Sequence, residues 1–188
     1  MQINKAIPTK LFWVDLEFTG FDYKKDVIIE VSAEITDFDF RTLGNYEARI
    51  KNNPRVLAER MSLNTFWQEH PENRDNFIQH NDEGKPIDQV EKELIEFVDS
   101  HFGAEPAILS GNSIHSDRAM IRSWWPSLDL KLHYRMLDVT SLKTLMQGKY
   151  GVEYEKSNTH RAYDDIQESI AELQYYLDWL QQPKNRDS

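Results

Sequence analysis

The stretch Lys10-Leu-Phe-Trp-Val-Asp-Leu-Glu-Phe-Thr-Gly20 decides how the rest of the chain is read. Leu11, Phe12, Trp13 and Val14 follow one another without a polar break, the pattern of a central strand covered on both faces, and Thr19-Gly20 ends the run. Successive side chains of a strand point to opposite faces, so Asp15 and Glu17 share one. Two carboxylates on one face repel each other, and burial adds to the cost unless a cation compensates them. A divalent metal site meets that requirement. A solvated acidic edge strand would give the same letters, and the apolar run ahead of the pair argues against it.

Outward from this strand the pattern alternates. Val27–Asp37 shows period-2 alternation and is expected to pair with the first strand as a hairpin, followed by a third strand over residues 45–51. Pro54–Ile78 reads as short helices with two internal breaks, and Asn81–Lys85 as a turn. A helix over Ile87–Phe102, with Pro86 at its start, would turn Val90, Leu94, Phe97 and Val98 inward. A strand at Ala107–Leu109, a helix over Ser116–Trp125, a strand near Met136–Val139 and a helix to Met146 follow. The last helix carries an apolar stripe of Ile166, Ile170, Leu173, Leu177 and Leu180. The fold class is α/β with a mixed central sheet flanked by helices. Residues 1–180 are expected to form one domain, with 181–188 a polar, frayed tail.

Two more acidic segments stand out. In Ala107-Ile-Leu-Ser-Gly-Asn-Ser-Ile-His-Ser-Asp117 a short apolar strand meets a Gly-Asn turn and a helix whose first turn holds Asp117. In Thr159-His160-Arg-Ala-Tyr-Asp164-Asp165 the final helix opens, and Asp165 lies just off its apolar stripe. Alone, Asp117 would be an acid favoured by a helix N-terminus, Asp165 a solvated helix acid, and His160 a polar residue near a helix start.

The blocks Val14-Asp-Leu-Glu-Phe-Thr-Gly-Phe-Asp22, Ile28-Ile-Glu-Val-Ser32, Gly111-Asn-Ser-Ile-His-Ser-Asp-Arg118, His133-Tyr-Arg-Met-Leu-Asp-Val139 and His160-Arg-Ala-Tyr-Asp-Asp165 together resemble the DEDDh 3′-to-5′ exonucleases. Within that group they are most similar to the oligoribonucleases. The blocks keep the family's order at both ends and the middle of the chain, while residues 50–102 do not align. Phe18 and Phe21 stand where oligoribonucleases usually carry Met and Leu. The resemblance implies a ribonuclease H-like exonuclease fold and two-metal-ion hydrolysis of phosphodiesters by Mg²⁺ or Mn²⁺, two ions per site, a choice that suits oxygen ligands.

It also implies roles. Asp15 would bridge both ions, Glu17 and Asp165 would hold the ion of the attacking water, and Asp117 would support the second ion. His160 would take the proton from that water, as suits an imidazole of reference pKa near 6.5. Asp164 competes with Asp165, and the family's spacing from the histidine selects Asp165. Tyr134 near the scissile end and Arg135 on the 5′ phosphate would come from the neighbouring subunit of a homodimer, with Ser113 on the same phosphate. Without the family, Tyr134 would be a half-buried strand tyrosine and Arg135 a surface arginine. Phe21 would stack on a base, with Phe66 and Trp67 as the opposite wall; core packing is the competing reading for those two.

Composition sets bounds that agree. The 188 residues, 39% hydrophobic and 12% aromatic, suffice for one core and not for two ordinary domains. No cysteine is present, which excludes disulfides, thiolate metal sites and cysteine nucleophiles. Neither a signal-peptide core nor a run of roughly 20 apolar residues is present, so a soluble, cytoplasmic protein with no membrane partner is expected. A formal net charge of −10 gives no bulk attraction to long nucleic acid and favours local capture of very short oligonucleotides, while an acidic balance also serves solubility alone. The activity that the resemblance implies, 3′-to-5′ release of nucleoside 5′-monophosphates from very short RNA, is the expected one. The alternatives are an exonuclease of the same fold acting on longer RNA or DNA, and a non-catalytic binding protein that keeps the fold.

Overall fold

The computed structural model describes residues 8–155 and 162–182. Strands β1 (Lys10–Phe18), β2 (Ile28–Asp37), β3 (Thr42–Arg49), β4 (Ala107–Gly111) and β5 (Leu132–Asp138) form one sheet in the order β3-β2-β1-β4-β5. β1 pairs antiparallel with β2, and β2 with β3; β4 joins β1, and β5 joins β4, in parallel. The helices are α1 (Pro54–Ser62), α2 (Thr65–Glu69), α3 (Pro71–Gln79), α4 (Ile87–Phe102), α5 (His115–Trp124), α6 (Pro126–Asp129), α7 (Val139–Tyr150) and α8 (Ala162–Gln181).

The unbroken apolar run of β1 follows from its central place. Phe12, Val14 and Leu16 enter a core shared with Val31, Ala33 and Ile35 of β2 and with Val90, Leu94 and Val98 of α4. Leu11 and Trp13 enter a second core with Ile166, Ile170 and Leu173 of α8. Continued by two and by four residues, the row of Leu11 and Trp13 becomes Asp15 and Glu17, so the acidic pair belongs to the face that α8 covers. On this face β2 is polar: Trp13 donates its indole N–H to Thr36 Oγ1 at 2.9 Å, and buried Glu34 accepts from Gln167 of α8.

The two helix breaks between residues 54 and 78 have local causes. Asn53 accepts from the Arg55 and Val56 N–H groups and Pro54 starts α1, Asn64 caps α2 through the Phe66 N–H, and Pro71 starts α3. These helices cover a third small core of Val27, Ile29, Leu57, Met61 and Trp67.

Several expectations shift. β3 begins at Thr42 rather than residue 45, and β5 at Leu132 rather than near Met136. The polar run His133-Tyr-Arg135 hides a strand because β5 is a sheet edge, where little burial is needed. Phe97 is only partly buried and packs near Phe12 and Tyr46, while Leu180 is 40% exposed because burial fades along the end of the α8 stripe. The expected tail beyond Gln182 lies outside the described residues.

Candidate active site

Three carboxylates converge where β1 meets the start of α8. Ligand oxygens of Asp15, Glu17 and Asp165 all lie within 4.8 Å of one another, and each side chain is half-buried. Oxygens around one six-coordinate Mg²⁺ are about 3 to 4.2 Å apart, given bonds of about 2.1 Å, so small rotamer adjustments would let this set close on an ion. The donors are all hard oxygens, which fits Mg²⁺ or Mn²⁺.

The electrostatics point the same way. Burial, then Asp165, then Glu30 push the Glu17 carboxyl up to about 7. Glu30 is the cross-strand partner of Glu17 on β2, and its own partner on β3 is Arg49, whose Nε lies 3.2 Å from Glu30 Oε1. The row Glu17–Glu30–Arg49 therefore holds two acids and one base.

Asp117, in the first turn of α5, lies outside that mutually close trio. Its Oδ1 accepts the Leu16 N–H at 3.0 Å, at the point where β1 has run past the end of β4. Gly111 permits the close approach there, since a Cβ would stand 2.9 Å from the Val14 carbonyl oxygen. Burial drives the Asp117 carboxyl up to about 8, although the Leu16 N–H pulls the other way. Among the described residues no cationic side chain forms an ion pair with Glu17 or Asp117.

Beside the cluster opens a pocket of about 250 Å³ lined by Leu16, Glu17, Phe18, Gly20 and Phe21 on one side and Asn64, Phe66 and Trp67 on the other. Phe21 is 68% exposed and meets Phe18 edge-on at 5.3 Å, while Phe66 is half-exposed and meets Trp67 edge-on at 5.1 Å. Trp67 itself is core, and its indole nitrogen is buried with no hydrogen-bond partner among the described residues.

At the ends of β4 and β5, Ser113 takes a left-handed backbone (φ 49°) that other groups hold in place. Its N–H reaches Asp138 Oδ1 at 3.1 Å and Thr140 Oγ1 at 2.9 Å, and Thr140 Oγ1 in turn donates to Asn112 Oδ1. Asn112 also donates to Glu172 and Ser169 of α8. Tyr134 is 75% exposed on β5, stacked on His133 with ring centres 4.5 Å apart, and the Arg135 guanidinium sits 5.2 Å from its ring centre. His160 and the side chain of Asp164 lie outside the described residues.

Against this geometry the likenesses are specific. The RNase T exonuclease family model matches residues 12–173. A Corynebacterium glutamicum oligoribonuclease is 39% identical over 89% of this chain and 78% of its own length, and a Francisella tularensis one 38% identical over 88% and 93%. The chain belongs to the oligoribonuclease family of exonucleases. The mitochondrial oligoribonuclease of Bos taurus is 36% identical, covering 94% of this chain and 75% of its own. Among solved structures, exonuclease I of Methylocaldum szegediense superposes with a TM-score of 0.63 at 15% identity, over 94% of this chain and 42% of that one. E. coli exonuclease I in its zinc-bound single-stranded DNA complex gives 0.61 at 13% identity, over 95% and 42%. These likenesses show the ribonuclease H-like exonuclease fold.

Within this oligoribonuclease-family chain, the structure brings Asp15, Glu17 and Asp165 together and sets Asp117 beside the same strand end. Phe21, Phe66 and Trp67 share one pocket, while Ser113 stands on a separate turn. Glu30, Arg49, Asn64 and Thr140 were not singled out as site residues. Glu30 had a signal: in the period-2 pattern of β2 it shares a face with Ser32 and Glu34.

Proposed function

We propose that this protein is a metal-dependent 3′-to-5′ exoribonuclease that shortens very short RNA to nucleoside 5′-monophosphates. The observation that carries the reading is the double position of Glu17, a member of the acidic trio and a lining residue of the aromatic pocket. A base seated between Phe21 and Phe66 brings its own phosphodiester to the carboxylates, and stacking on such faces is worth roughly 1–3 kcal/mol per base.

Asp15, Glu17 and Asp165, with Asp117 nearby, would hold two Mg²⁺ or Mn²⁺ ions. When bound, such ions would supply an activated water and neutralise charge on the phosphate and the leaving oxygen. His160 removes the proton of the attacking water, and Ser113 with Arg135 holds the 5′ phosphate, which limits substrate length. The negative overall charge fits local capture rather than tracking along a strand. Tyr134 and Arg135 serve the site of a second subunit in a homodimer. Support for that comes from the edge position of β5, with Tyr134 75% and Met136 39% exposed on it and Leu130, just ahead of the strand, 85% exposed. One exonuclease domain over residues 1–180 does this work, in the cytoplasm; among the described residues no helix is long and apolar enough to cross a membrane.

The test is hydrolysis of RNAs of two to twenty nucleotides with Mg²⁺ or with EDTA. We expect monophosphate release from the 3′ end, fastest on the shortest RNA and absent in EDTA. Equal rates on a dinucleotide and a twenty-mer would instead favour a longer-substrate exonuclease.

A further inference from the structure

Asp26 is 3% exposed, far from any role in the acidic trio, and its carboxylate is saturated. Oδ1 accepts from Thr19 Oγ1 at 2.8 Å and from Arg60 Nε at 2.8 Å, while Oδ2 accepts from the Asp22 N–H at 2.8 Å and from Arg60 Nη2 at 3.0 Å. This fork joins two segments distant in sequence. Residues 19–26 close the loop between β1 and β2 and carry Phe21; Arg60 stands in the last turn of α1, just ahead of Asn64, Phe66 and Trp67. These are the two walls of the pocket. A second stitch runs beside the first, since Asn64 Nδ2 donates to the Thr19 carbonyl at 2.8 Å. Gly20 leaves room for the carboxylate: a Cβ there would stand 2.7 Å from Asp26 Oδ2.

We propose that Asp26 and Arg60 form a positioning pair that sets the distance between the Phe21 wall and the Phe66–Trp67 wall, and so sets how tightly the terminal nucleobase is held. A bidentate guanidinium–carboxylate fork fixes orientation as well as distance, which a single hydrogen bond or a lysine does not. Neither residue touches the acidic trio, so the pair acts on binding and not on the hydrolytic step. The proposal rests on the short-RNA exonuclease reading above.

The experiment measures kcat and KM with Mg²⁺ on two substrates, a ribodinucleotide and the same molecule lacking its 3′ base. In Arg60→Met we expect KM for the dinucleotide to rise about tenfold, within the range that loss of stacking allows, with kcat changed less than about threefold. KM for the abasic substrate should stay near the wild-type value. Arg60→Lys, which keeps the charge and loses the fork, should fall between the two and serves if Arg60→Met does not fold. A merely structural pair would damage both substrates alike, and that result, or an unchanged KM for the dinucleotide in a folded variant, would overturn the proposal. Failure of the wild type to hydrolyse the dinucleotide would overturn the functional reading itself, and this inference with it.

Discussion

Asp26 and Asp117 are carboxylates removed from water to a similar degree, 3% and 7% exposed, yet they are perturbed in opposite directions. Burial alone would raise both. At Asp26 it is outweighed by hydrogen bonds from Arg60, Asp22 and Thr19, which hold the carboxyl below its usual range. At Asp117 two backbone N–H groups are too little, and the Glu17 and Asp138 charges add to burial, leaving it at about 8. The difference lies in what each segment is for. Asp26 joins parts of the fold and is compensated within the chain; Asp117 and Glu17 carry a deficit of positive charge that a divalent ion would fill.

The comparison breaks most visibly in activity. Asp15→Asn, or excess EDTA on the wild type, should lower hydrolysis of a dinucleotide by about 10³-fold or more while the circular dichroism spectrum stays native. Full activity in EDTA would contradict the metal reading.

Next comes stability, where the two acids should respond differently. Asp26→Asn leaves the Arg60 guanidinium with a neutral partner and should cost about 3 kcal/mol, seen as a fall in Tm of roughly 6–12 °C. Asp117→Asn keeps an oxygen for the Leu16 N–H and removes a charge, so the metal-free protein should melt at the same temperature or slightly higher. A large loss of Tm in Asp117→Asn without metal would erase the distinction.

How much of this was legible beforehand follows from the kind of signal each feature leaves. β1 could be read because burial on both faces writes a continuous apolar run, and the acidic pair because its spacing of two is the strand period. α4 was readable to the residue, since Val90, Leu94 and Val98 repeat at helical spacing. β5 was read short because an exposed edge strand needs no apolar alternation. The Asp26–Arg60 fork left no trace, because two oppositely charged residues 34 apart carry no periodicity, and only the closing of the β1–β2 loop against α1 brings them together. The turn at Ser113 was visible as Gly-Asn, but the Asp138 and Thr140 groups that hold it lie on a later strand and helix.

The pH dependence of the metal-free protein sharpens the same contrast. Glu17 and Asp117 have folded pKa values of about 7 and about 8, above their unfolded values near 4, so the folded state binds more protons in between. Stability from these groups is present at low pH and is lost as pH rises through that window. Tm in EDTA should therefore fall by several degrees from pH 5 to pH 8. Asp26, with a lowered folded pKa, acts in the other sense and only in acid, its contribution being lost as pH drops below about 4. A Tm that rises from pH 5 to pH 8 without metal would contradict the account.

The smallest effect concerns Glu30. Glu30→Gln removes one like charge opposite Glu17 and so lowers its folded pKa, and the pH at which that decline levels off should move down slightly. Loss of the partly exposed Arg49 pair should cost under about 1 kcal/mol. An unmoved or higher end point would mean that Glu30 does not raise Glu17.

The most direct test is calorimetric titration of the metal-free protein with Mn²⁺ near pH 7, run in two buffers of different ionisation enthalpy. Carboxyls held near 7 and 8 must give up protons to become ligands, so the account predicts saturable binding with net proton release, and weakened binding in Asp15→Asn. Binding without proton release, or no binding at all, would contradict the claim that these buried acids are kept short of positive charge for a divalent ion.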